Sequence, residues 1–175
     1  MKIPFFFLPL LSLLFCSCGT ISHMEPTGAS QNKKFSKVIV RDFSANQFGY
    51  EVKSKVEMAK KSFPDKIAGE LQKKARFSKI SRSGTADSDT LVIDGIITDY
   101  DDGNAFARFM VGMGAGTARF NATVNFRDGY NRIGSIDVDK NSWILGGSLA
   151  ATQTAETFIP GAAKKVAVEA NKLAR

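Results

Sequence analysis

The stretch from Leu91 to Gly129 constrains the fold more than any other part of this 175-residue chain. It reads LVIDGIITDYDDGNAFARFMVGMGAGTARFNATVNFRDG. Leu91 to Tyr100 is a nearly unbroken apolar and β-branched run, the pattern of a buried strand. Gly95 in its middle marks a bulge or the close approach of another backbone. Arg119 to Arg127 alternates, with Phe120, Ala122, Val124 and Phe126 facing one way and Asn121, Thr123 and Asn125 the other. A period of two with one apolar side predicts a half-buried strand of an antiparallel sheet. Asp128-Gly129 begins a turn, and Arg132 to Asp139 can return as the hairpin partner. Between the two runs, Arg108 to Thr117 is apolar and crowded with glycine.

The remaining segments supply cover for one face of such a sheet. Val38 to Phe43 is rich in β-branched residues and predicts a first strand. Val52, Val56, Ala59 and Phe63 recur at helical spacing, with lysines 53, 55, 60 and 61 on the other faces. Pro64 lacks an amide donor and clashes with the preceding turn, so a second helix is expected to start there, with Asp65 at its positive end. Ile67, Ala68, Leu71 and Ala75 continue the apolar face, and Phe77 to Ser81 predicts a short strand. From Thr152 to Arg175 a stripe of Ala155, Phe158, Ile159, Ala162, Ala163, Val166, Ala167, Ala170, Leu173 and Ala174 predicts a helix on the sheet. Pro160-Gly161 is expected to kink or restart it. Gly146-Gly147 reads as a break. These elements make an α+β two-layer sandwich: a mainly antiparallel, mixed sheet of about five strands with helices on one face. Residues 37–175 are expected to be one domain, a size ordinary for a single core.

The amino-terminal end reads differently. Met1-Lys2 is a short positive region, and Ile3 to Phe15 is apolar but too short for a bilayer of about 30 Å and interrupted by Pro4 and Pro9. Residues 1–17 are therefore expected to be a signal peptide. Phe15-Cys16-Ser17-Cys18-Gly19 resembles a bacterial lipobox, with small Ser17 before Cys18. Cys18 is the expected lipidation site; Cys16, after bulky Phe15, fits less well. Acyl chains on Cys18, at about 0.8 kcal/mol per buried CH₂, would hold the chain on a membrane. Gly19, where an Asp would resemble an inner-membrane retention signal, points to the outer membrane, with the domain facing the periplasm. Residues 18–36 are polar and read as a flexible tether. His23, the only histidine, lies in it.

Composition narrows the chemistry. Beyond Cys18 there is no cysteine, so the body has no disulfide, thiolate metal site or cysteine nucleophile. No Ser-His-Asp, Cys-His or histidine metal set can be assembled, and neither a catalytic residue, a cofactor nor a metal is expected. The net charge is +7, or +6 once residues 1–17 with their single Lys2 are removed. In an exported protein that charge suits an anionic envelope component, lipid or glycan, and nucleic acid is not an expected partner. Gly112-Met113-Gly114-Ala115-Gly116 lacks the third glycine spacing and the following helix of a dinucleotide site, and it lacks the lysine of a phosphate loop. It is left as a backbone crossing, an apolar contact patch or a membrane-touching element. Asp99, Asp101 and Asp102 cluster beside Gly103-Asn104, which suits a polar turn; calcium binding lacks the glutamate spacing of an EF-hand. Arg108, in an apolar run, is expected to pair with Asp99 or Asp101.

Gly95-Ile-Ile-Thr-Asp-Tyr100, Gly103-Asn104, Ala107-Arg108 and Gly112-Met-Gly114-Ala-Gly116 together resemble DUF4410, an uncharacterised bacterial lipoprotein family. Val38 to Phe43, Phe63-Pro64, and Phe77 with Ile80 follow the same layout across most of residues 37–173. The turn Asp128-Gly-Tyr-Asn-Arg132 departs from the Asp-x-x-Thr-Gly-Lys hairpin of the resemblance. What the resemblance implies is an envelope lipoprotein with an α/β sandwich and no assigned activity. The function expected is therefore a non-enzymatic, lipid-anchored envelope protein acting by contact with another protein or with itself. Arg108, Gly112, Met113, Gly114, Gly116, Asp99 and Asp101 are the expected contact residues. The alternatives are a binding domain for an anionic envelope lipid or glycan, and a hydrolase using Asp99 with Asp101 or Asp102.

Overall fold

The computed structural model describes residue 24 and residues 33–110, 116–141 and 152–175, with the backbone alone at Arg108. Cys16, Cys18, His23, Gly112, Met113, Gly114 and the Gly146-Gly147 break lie outside the described residues. The elements run β1 (Lys37–Val40), β2 (Ser44–Ala45), α1 (Tyr50–Lys74), β3 (Lys79–Ser81), β4 (Thr90–Asp101), α2 (Ala105–Met110), β5 (Arg119–Asp128), β6 (Asn131–Asn141) and α3 (Ala155–Asn171).

The strands form one mixed sheet in the order β3-β1-β4-β5-β6, with two-residue β2 paired to β4. β1 lies parallel to both β3 and β4, as strand–helix–strand connections require. The long ladders, β4 with β5 and β5 with β6, are antiparallel and form the expected meander. This is the expected α+β sandwich with one strand more than counted, because β2 is too short to carry a pattern. α1 and α3 pack side by side on one face. Val38, Val40, Leu91, Ile93, Phe120, Ala122, Val124, Phe126, Ile136 and Val138 meet Phe63, Ile67, Leu71, Ile159, Ala163 and Val166 in one buried cluster.

Gly95 is a point of close approach. A methyl group on it would lie 2.4 Å from the Thr123 carbonyl oxygen and 2.6 Å from the Phe43 ring. The Phe43 ring meets Phe63 edge-on at 5.1 Å, and Phe63 meets Phe120 in the same way, so an aromatic chain ties α1 to the sheet across Gly95. The bulge in β4 falls three residues later. Ile97 pairs with Ala122 and Asp99 with Asn121, leaving Thr98 as the extra residue.

One expectation about proline is corrected, and a second is narrowed. α1 is a single 25-residue helix with Pro64 inside it, not a pair broken there. Proline strands the carbonyl four residues back, and here the Lys60 carbonyl accepts instead from the Phe43 amide at 3.0 Å. Pro160 likewise sits inside α3, which does not restart. α3 starts where the Thr154 amide donates to Thr157 Oγ1 at 3.1 Å, and Ala155, Ile159, Ala162, Ala163, Val166, Ala167 and Ala170 are buried as their spacing predicted.

Ordered packing also begins before Lys37. Phe35 is fully buried, its amide donates to the Leu173 carbonyl at 2.9 Å, and the Arg175 amide donates back to the Phe35 carbonyl at 3.1 Å. Ser36 gives its hydroxyl and amide to Asp89, and Lys33 pairs with Asp128. Residues 33–36, read from sequence as the end of the tether, thus clasp the carboxyl terminus to the sheet.

Candidate interaction site

The acidic turn leaves the carboxyl end of β4. Counted straight through the strand, Asp99 and Asp101 would point into the core with Leu91 and Ile93. The extra residue at Thr98 reverses the alternation, because one residue of slip exchanges the two faces. Tyr100 therefore turns inward, where it is 4 % exposed and packs edge-on to Phe120. Burial pushes its phenol up to about 12, with Asp102 and Glu156 adding to the shift. Asp99 and Asp101 turn outward to Arg119 on β5, whose Nε lies 3.2 Å from Asp99 Oδ2 and whose Nη2 lies 3.3 Å from Asp101 Oδ2.

The expected partner of these carboxylates was Arg108, whose side chain is outside the described part. Arg119 was legible only as a residue of an alternating strand; its role follows from its register opposite Asp101. Asp101 also accepts the Gly103 amide at 2.7 Å, the geometry of a polar turn. Asp102 accepts the Ala155 amide at 3.2 Å, at the positive end of α3, and pairs with Lys55. The hydrogen bond that Lys55 donates to Asp102, together with the charge of Asp102, raises the Lys55 ammonium above its ordinary value. The rest of this sheet face is laced in the same way: Asp94 accepts from Arg127 Nε at 2.7 Å and from Asn125 at 3.2 Å, and Thr123 donates to Asp137 at 2.8 Å. Among the described residues no group of three or more His, Cys, Asp or Glu side chains is arranged to hold a metal ion.

Beyond the acidic turn stands α2. Asn104 accepts the Ala107 amide on its side-chain oxygen at 3.0 Å, starting the helix, and its own amide donates to the Gly116 carbonyl at 2.9 Å. Gly116 has φ of 64°, and a methyl group there would lie 2.5 Å from the Asn104 oxygen. Gly116 is thus a backbone crossing, which closes the loop that carries α2. On that short helix Phe106 is 73 %, Phe109 58 % and Met110 62 % exposed. Three large apolar side chains on six residues thus stand exposed together on α2. Sequence reasoning weighted Gly112, Met113 and Gly114 and passed over these three. The available signal was Ala-Phe-Ala-Arg-Phe-Met directly after an Asn cap, three large apolar side chains on a helix too short to bury them.

The opposite end of the sheet holds a cavity of about 150 Å³ lined by Lys37, Ile39, Lys79, Ser81, Thr85 and Asp87, among others. The Lys37 ammonium is already met by Asp87 at 2.7 Å. That contact, with a hydrogen bond from Thr90, holds the Asp87 carboxyl well below the usual carboxylate range. No helix among the described residues is long and apolar enough to cross a membrane.

With the geometry in hand, comparison places the chain. The family described as "Domain of unknown function (DUF4410)" matches residues 38–167. This chain belongs to the DUF4410 family. The match runs from β1 into α3, so the whole sandwich is the DUF4410 unit. No curated protein matches the chain. Two solved structures of the PelC dodecamer from Paraburkholderia phytofirmans, one of them a point variant, are similar in fold. Their TM-scores are 0.56 for the variant and 0.57, at 14 % and 13 % identity, covering 90 % of this chain and 99 % of theirs. Identity at that level shows a shared fold alone and carries no site residues across.

Proposed function

We propose that this DUF4410 protein is a non-enzymatic, lipid-anchored component of the bacterial envelope that works by protein–protein contact through α2. The observation that carries the reading is the exposure of Phe106, Phe109 and Met110 together on a helix held out from the sandwich by the Asn104–Gly116 closure. The carboxylates beside it are occupied in structural pairs with Arg119 and Lys55, which argues against their use in hydrolysis. The lipobox-like Ser17-Cys18 supports anchoring through Cys18, and Gly19 supports the outer membrane, with the domain in the periplasm. PelC, which shares the fold, is a dodecamer, so a second copy of this chain is a natural occupant of the α2 surface.

Photocrosslinking in cells tests this, with a photoreactive residue at Phe109. The expected result is a discrete protein adduct, and its mass tells a second copy from another envelope protein. Phe106→Ser in the same chain is expected to abolish the adduct while changing stability by no more than about 0.5 kcal/mol, as exposed positions do. A folded protein that gives no adduct, or adducts with lipid alone, would sink the reading.

A further inference from the structure

The two ends of the sheet differ in charge, and the chain enters at one of them. β1 and β4 start, β5 ends and β6 starts at the pole where Lys33 to Ser36 join the domain. α1 also finishes there, since the Ser78 amide just beyond it donates to the Ser36 carbonyl at 2.7 Å. α3 finishes there through the Phe35 clasp. Five side-chain carboxylates among the described residues of this pole are taken by neighbouring cations: Asp87 by Lys37, Asp89 by Arg175, Asp128 by Lys33, Glu169 by Lys172 and Glu70 by Lys73. Five further cations, Lys34, Lys74, Arg76, Lys79 and Arg132, are exposed there and have no carboxylate partner among the described residues, Lys34 donating to the Lys172 carbonyl. At the other pole Lys55 is met by Asp102, and Arg119 by Asp99 and Asp101.

We infer that the five-cation pole is seated on an anionic phospholipid surface, which turns α2 away from the bilayer and toward its protein partner. The inference rests on the reading of Cys18 as the lipidated residue. Cys18 lies fifteen residues before Lys33, a span that reaches at most about 50 Å. β4, with 12 residues, makes the domain about 35 Å tall, so the anchor by itself does not decide which pole faces the membrane. Charge decides it. Each lysine or arginine close to an anionic leaflet favours that orientation about five-fold, and the effect fades within a Debye length of about 8 Å. Asp99, Asp101 and Asp102 at the α2 pole gain nothing from the same surface. A covalent lipid keeps the whole domain near headgroups at high effective concentration, which favours lipid over a soluble acidic partner as the surface the basic pole meets.

The full chain, made in bacteria and purified with its anchor, carries no cysteine in its body, so single spin labels can be placed at Gln72→Cys beside the basic pole and at Gln47→Cys beside the other. Proximity to headgroups is measured in vesicles of phosphatidylcholine alone and in vesicles with about one third phosphatidylglycerol. The expected result is that only the Gln72 label moves close to headgroups, only with phosphatidylglycerol, and that salt of about 0.5 M reverses it. Lys74→Gln, Arg76→Gln and Lys79→Gln are each expected to lower the near-to-far ratio about five-fold. Equal proximity in both vesicles, or a Gln47 label that is the nearer one, overturns the inference while leaving the anchor intact. The mass of the purified chain reports lipid on Cys18 separately. An unlipidated chain that still sediments with phosphatidylglycerol vesicles through Lys74, Arg76 and Lys79 would keep the surface and overturn the anchor.

Discussion

Gly95 and Asp89 illustrate two kinds of single-residue control. Gly95 leaves room for the Thr123 carbonyl and the Phe43 ring, and no rotamer can relieve a methyl group placed against backbone. Gly95→Ala is expected to cost about 2–3 kcal/mol, read as a lower urea midpoint with unchanged slope. Asp89 is held below its ordinary pKa chiefly by the Ser36 hydroxyl, which outweighs the opposing effect of burial, with smaller help from the Ser36 amide and the charges of Arg175 and Lys37. Its folded pKa is the lower one, so its contribution is present above the unfolded value of about 3.9 and is lost as pH falls through the folded value. The thermal midpoint of the native protein is therefore expected to drop more between about pH 5 and pH 2 than that of Asp89→Asn. Gly95 was legible in sequence as an anomaly inside a strand. Asp89 was not, because its partners lie 53 positions back at Ser36 and at the last residue of the chain.

α1 and α2 each break a rule of local sequence, for different reasons. An interior proline ordinarily costs a helix about 3 kcal/mol, part of it from the stranded carbonyl. In α1 the Phe43 amide supplies that carbonyl from outside the helix. Pro64→Ala is therefore expected to gain less than about 1 kcal/mol in chemical denaturation, far short of the full penalty. A gain near the full value would show that the Phe43 bond does not compensate. The periodicity of Val56, Ala59, Phe63 and Ile67 passed unbroken through Pro64 and was the better guide, because burial along 25 residues outweighs one lost amide. α2 has the opposite imbalance: a good Asn start and too little length to bury what it carries. Its exposure followed from how far the Asn104–Gly116 closure lifts it from the sheet, which no local pattern encodes.

For the molecule as a whole, the clasp of Phe35 with Leu173 and Arg175 joins the segment before β1 to the residues after α3. Phe35→Ala removes a fully buried ring and is expected to cost about 3–4 kcal/mol, as much as a central core residue, despite its place near the chain's polar amino-terminal stretch. A loss below about 1 kcal/mol in urea unfolding would mean that the clasp frays independently of the core. The clasp also fixes the pole at which the amino-terminal segment leaves the domain. That pole is opposite α2, and this separation gives the molecule one basic end and one end with exposed apolar side chains.

The α+β class, the two long meander strands and the buried stripe of α3 were written in the residues themselves. Backbone repeats of 2 and 3.6 residues decide locally which side chains share a face. The missing cysteines and the lone histidine bounded the chemistry in the same direct way. Packing decided the rest: the outward turn of Asp99 and Asp101 at the Thr98 bulge, their pairing with Arg119, the rescue of Pro64 by Phe43, the Phe35 clasp and the exposed α2. Each of these depends on a group far away in the chain, and a side chain's partner across a sheet is set by register and twist rather than by its neighbours in sequence.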